Sequence, residues 1–159
     1  MREGTARGAR RLAATAPLSL DLAGGRLRIR LLSPPARPPG PAPEDPNPRA
    51  VVALISAGAF HLLLSADAES ETLLPLELPD VDAMKVPHHG SSDPGLPELL
   101  ERLDPELAAI EVGPNTYGHP APSTLAALDR AGVATYRTDR DGTVTLTVDA
   151  GQMRVDTER

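Results

Sequence analysis

Cysteine and tryptophan are absent from this sequence, and phenyl rings occur only in Phe60, Tyr117 and Tyr136. The missing thiols exclude a disulfide framework and any thiolate metal site, so metal chemistry would have to use His, Asp and Glu. With so few aromatics, the core has to be built from Leu, Val, Ala and Ile. Histidine is scarce at four residues, and Lys85 is the sole lysine among sixteen basic side chains. No apolar run approaches the roughly 18–20 residues that cross a bilayer. The arginines of "MREGTARGARRLAATAPLSLDL" are not followed by the continuous apolar stretch of a secretion signal. As it stands the chain reads as soluble, with no membrane segment.

What is present suits one globular domain: 159 residues, 40% of them hydrophobic, enough for a real core. The formal charge of −6 is unevenly spread. Residues 1–49 hold nine Arg against four acids, whereas residues 50–159 hold seven basic residues against eighteen acids. The basic arm either contacts phosphates or is a poorly ordered leader. The expectation is a disordered leader over 1–17 and a folded domain over 18–159. The acidic body would repel a polyanion unless bound cations covered its active face.

Periodicity sets the elements. "LSLDLAGGRLRIRLLSP" predicts two short strands around Gly24-Gly25. In the second, Leu27, Ile29 and Leu31 alternate with Arg26, Arg28 and Arg30. Residues 33–49 hold too many prolines for helix or sheet and read as an extended surface loop. "RAVVALISAGAFHLLLSAD" predicts a hairpin turning near Ser56-Ala57-Gly58, apolar enough for a sheet covered on both sides. Alternating elements follow. "AESETLLPLEL" is a short helix capped by Asp67 or Ser70, "VDAMKV" a strand and "PGLPELLERL" a helix. "ELAAIEV" is a strand, "PSTLAALDRAG" a helix capped by Ser123 and closed by Gly132, and "VATYR" a strand. A "DRDG" turn and a terminal hairpin complete a layered α/β (α+β) structure with helices packed on a sheet.

Functional groups of layered sheets gather in loops past strand C-termini. Four such loops carry polar residues: Asp67; His88 with His89; "GPNTYGHP" with His119; and Asp139 with Asp141. If the strands are parallel neighbours, the first three loops open on one edge. Oxygen and nitrogen donors meeting there suit Zn²⁺, Mn²⁺ or Fe²⁺. Each residue also has a plainer role. Asp67 fits a helix cap, a loop His pair fits solvent, and His119 between Gly118 and Pro120 fits a tight turn. His61 fits an edge or surface position, and Asp139 and Asp141 fit a turn. Ser91 and Ser92 lack the Gly-x-Ser-x-Gly setting of a serine nucleophile.

An apolar strand ending in Asp precedes "VDAMKVPHHGSSD", "VGPNTYGHPAPSTLAAL" and "YRTDRDGTVTL". That order resembles the C-terminal part of the metallo-β-lactamase-like domain of the ComEC competence family, from about Leu18 to Val148. The resemblance implies an αββα sandwich holding divalent metal, Zn or Mn, between its sheets. It implies Asp67 as a bridging metal ligand after a "TGD"-like strand, here "SAD", and a metal-site histidine at His88 or His89. Adjacent residues of a regular strand point opposite ways, so one would ligate and the other support it. By the same resemblance His119 and Lys85 belong with the catalytic residues, and Tyr117 and Ser91 stand beside the ligands. DNA is the implied partner, and full-length relatives are implied to be integral to the bacterial cell membrane. The superfamily's early His-x-His/Asp-x-Asp-His motif does not occur in these residues, and "NPRA" stands where "N-x-x-S" is expected. The resemblance therefore implies a partial sandwich without its N-terminal strands and first metal motif.

Three functions are compatible with this reading. The first is a divalent-metal phosphodiesterase or nuclease tied to DNA uptake, weak or inactive as an isolated chain. The second is a non-catalytic fragment, or a module whose sheet is completed by an upstream segment or a protein partner. The third, disfavoured by "YGHP", is a metallo-β-lactamase-fold hydrolase of a small molecule.

Overall fold

Alternating Leu with Asp or Arg produces the first two strands, and the computed structural model describes them within residues 13–37, 40–41, 43–149 and 151–159. Most of the expected leader, residues 1–12, lies outside that set. β1 (Leu18–Leu22) pairs antiparallel with β2 (Leu27–Ser33), Leu20 facing Ile29. A short 3₁₀ turn, Asn47–Arg49, precedes β3 (Val52–Ala57), which forms a hairpin with β4 (Phe60–Leu64). That turn falls at Gly58-Ala59, slightly later than the pattern suggests, because Gly58 supplies the positive φ of 65°.

From β4 onward the strands run parallel: β5 (Ala83–Lys85), β6 (Leu107–Ile110) and β7 (Ala134–Arg137). All seven form one sheet in sequence order. The crossovers carry α1 (Ser70–Leu73), α2 (Leu96–Leu103) and α3 (Pro122–Arg130). Leu96, Leu99, Leu100 and Leu103 recur at helical spacing and are all buried, packing with Val52, Leu54, Leu63 and Met84 of the sheet. Each such leucine stabilises the fold by roughly 1.5–3 kcal/mol in transfer terms.

The other face of the sheet carries a second layer. After α4 (Thr138–Asp141), strands β8 (Val144–Asp149) and β9 (Gln152–Thr157) form a separate two-stranded sheet. Leu146, Val148, Met153 and Val155 pack on Phe60, Leu62, Ala83, Leu107 and Tyr136. The layers are thus helices, a seven-stranded sheet and a two-stranded sheet. Leu20, Ile29 and Ile55 share the hairpin's face by register, yet they are half-buried and lie outside its cluster.

Several local expectations are corrected. Neither Asp67 nor Ser70 caps α1: Glu69 occupies the N-cap position without a side-chain bond. Ala121, not Ser123, precedes α3, because Pro122 takes the first helical position. "DRDG" belongs to the single helical turn α4 and not to a plain turn. His61 lies on β4, an interior strand, half-buried with its Nδ1 2.9 Å from the Ser56 hydroxyl.

Candidate functional site

Because β4 to β7 are parallel neighbours, the loops that follow them open on one edge of the sheet. The loop after β4 turns at Ala66, φ 48°, and presents Asp67. Its Ala66 carbonyl accepts from the His88 N–H at 3.1 Å and from Lys85 Nζ at 3.1 Å. Lys85 donates also to the Val86 carbonyl at 3.4 Å. Burial pushes the Lys85 pKa down, while the negative charges of Glu111 and Asp67 pull it back up.

The loop after β5 is a tight turn, Pro87–Gly90, in which His88, His89 and Gly90 all take positive φ, at 45°, 53° and 81°. Gly90 is required twice over, since an added Cβ would lie 2.7 Å from Pro120 Cβ. The left-handed turn, not strand alternation, separates the two histidines, whose ring centres are 6.5 Å apart. His89 Nδ1 donates to the Glu111 carbonyl at 2.6 Å. A carbonyl only accepts, so in the neutral ring Nε2 carries the lone pair. That Nε2 faces Asp67 Oδ1 at 3.5 Å. His88 instead donates from Nδ1 to Glu69 Oε1 at 3.0 Å, and the same oxygen accepts the Ser91 hydroxyl.

His119 lies beyond β6, its ring 5.7 Å from that of His88 and stacked on Tyr117 at 5.9 Å. Asp139 pairs with Arg137, whose guanidinium holds the carboxyl below its ordinary pKa, and Asp141 accepts the Arg137 N–H at 2.7 Å. Both carboxylates serve the chain's own turn. Ser92 is bonded to Ser123 at 3.1 Å.

The structure therefore gathers Asp67, His88, His89, His119, Tyr117, Lys85 and Ser91 at one rim. It adds Glu69, which sequence reasoning missed: nothing marks a carboxylate two residues past Asp67 as the partner of His88 and Ser91. Asp67, Glu69 and His88 line a pocket of about 230 Å³ together with Asp45, Asn47 and Glu71.

Whether these residues fit a metal turns on the Asp67–His89 pair. Bonds of about 2.0–2.2 Å at a tetrahedral angle place two ligand atoms about 3.4 Å apart, close to the 3.5 Å between Nε2 and Oδ1. Anchoring a ligating imidazole through its other nitrogen to a carbonyl is also the usual arrangement. The pair is nonetheless two donors, fewer than the three protein ligands of a catalytic zinc site. Among the described residues no group of three or more His, Asp or Glu is placed to hold a metal ion. The pair alone does not hold a catalytic metal.

No protein-family model matches the chain. ComE operon protein 3 of Bacillus subtilis (strain 168), a ComEC-related protein, is 32% identical over 123 residues. That match covers 74% of this chain but only 15% of the relative. A crystal structure from Parabacteroides distasonis, assigned as a metal-dependent hydrolase, superposes with a TM-score of 0.50 at 14% identity. The superposition covers 84% of this chain and 59% of the other, and at that identity it shows the fold alone.

Proposed function

This chain is a ComEC-related segment with a metallo-β-lactamase-like fold, and on that premise we propose that Asp67 and His89 form one side of a divalent-metal phosphodiesterase site acting on DNA. The observation that carries the reading is their 3.5 Å approach, with the other His89 nitrogen tied to the Glu111 carbonyl. Divalent cations in such sites act as Lewis acids toward phosphoryl oxygens and lower the pKa of water. The chain's own residues do the rest. Glu69 holds His88 and Ser91 behind the rim, and Lys85 fixes the Ala66 carbonyl and hence the position of Asp67. Lys85 is thereby a positioning residue. On this reading His119 gives a proton to the leaving oxygen.

On this reading the remaining metal ligands come from outside the described residues. With two donors, these residues alone turn over DNA weakly or not at all. Among the described residues no helix is long and apolar enough to cross a membrane.

Calorimetric titration of Zn²⁺ or Mn²⁺ tests the assignment. Weak binding is expected for the parent and the His88→Ala variant, and a loss of roughly tenfold or more for Asp67→Ala and for His89→Ala, at least what losing a ligand's supporting partner costs. Equal affinity in the parent, Asp67→Ala and His89→Ala proteins would overturn the reading.

A further inference from the structure

Tyr117 is one of three phenyl rings in the sequence, and the only one in open solvent. It is 82% exposed, whereas Phe60 is buried and Tyr136 half-buried in the core under the hairpin. A ring that exposed contributes little to packing, yet its loop is tightly braced. Asn115 Oδ1 accepts the N–H groups of Tyr117 and His119, both at 3.1 Å. Its Nδ2 donates to the carbonyls of Gly113 at 2.9 Å and His119 at 2.8 Å. The Tyr117 and His119 rings are stacked with their planes 20° apart, and His119 leads on to His88 and then His89. A braced, flat, solvent-facing surface is thus linked through the His119 and His88 rings to His89 of the Asp67–His89 pair.

We propose that Tyr117, backed by His119, is a stacking platform for a nucleobase, seating the base that flanks the reacting phosphodiester. The orientation rests on the phosphodiesterase reading above; the stacking itself does not. Every base has a π-face, so the platform is tolerant of sequence. A base has to leave its duplex to lie on it, which makes single strands or frayed ends the preferred substrate.

The absence of tryptophan gives a clean probe, because Tyr117→Trp installs the sole indole in the chain. Adenosine monophosphate should quench that indole in EDTA as well as in Mg²⁺, and ribose 5-phosphate should not. For a short phosphorothioate-linked single strand in Mg²⁺, Tyr117→Ala should weaken binding roughly 5- to 150-fold, the range of one base–aromatic stack. Tyr117→Phe should bind like the parent. Quenching by ribose 5-phosphate equal to that by the nucleotide, or Tyr117→Ala binding the strand as the parent does, overturns the platform. Nucleotide quenching that persists while Asp67→Ala and His89→Ala leave metal affinity unchanged sustains the platform and sinks only the metal assignment.

Discussion

The solitary lysine is half-buried beneath the rim, donating to the Ala66 carbonyl. Its folded pKa lies below the ordinary 10.5 because burial penalises the ammonium. Between that lowered value and 10.5 the unfolded chain binds more protons than the folded one, so stability rises with pH across the window. Lys85→Met removes the effect. Urea unfolding at a series of alkaline pH values should show the parent gaining stability relative to the variant; a constant difference would place the ammonium in water. Other residues were legible to different degrees. That Asp67 meets the histidine pair followed from loops after neighbouring parallel strands. Which histidine faces it did not follow, because the choice is made by a left-handed turn that no periodicity announces.

Helix α1 is a single turn of four residues, too short to hold itself. Asp93 secures it from 23 residues away: Oδ2 accepts the Ser70 N–H at 2.8 Å, and Oδ1 accepts the Ser70 hydroxyl and the Gly95 N–H. Asp93→Ala should cost about 1–2 kcal/mol in denaturant unfolding. It should also loosen Glu69, the residue next to Ser70, and so free the His88 ring. Amide exchange at Ser70 and the ring resonances of His88 would report this, and an unchanged α1 would show that its packing suffices. The sequence pointed to caps within the helix's own neighbourhood, where local rules apply. The true partner is a loop aspartate whose approach depends on tertiary structure. α2 was easy by contrast, since its four buried leucines follow the helical period.

Taken together, the layers place an acidic body behind the edge at which a nucleic acid is proposed to bind. Residues 50–159 hold seven basic side chains against eighteen acids, so an approaching phosphate chain meets like charge. Binding of a single-stranded oligonucleotide, followed by anisotropy, should therefore strengthen when millimolar Mg²⁺ replaces an equal ionic strength of Na⁺. Ordinary screening of a basic surface gives the opposite trend, and observing it would mean that the nucleic acid sits elsewhere. The alternation of helices with strands made the parallel half of the sheet readable. The terminal hairpin was readable as a hairpin, but its seat on Phe60, Ala83 and Leu107 was not. Alternation gives each strand an apolar side without saying which layer covers it.

The turn at His88 and His89 carries a consequence for natural variation. Two successive non-glycine residues in the left-handed region cost about 1–2 kcal/mol each, and glycine or asparagine would relieve much of that. An unstrained backbone alone would favour those residues, whereas the bonds of His88 to Glu69 and of His89 to the Glu111 carbonyl weigh the other way. Among relatives, both imidazoles are therefore expected where the rim is in use, and glycine or asparagine where it is not.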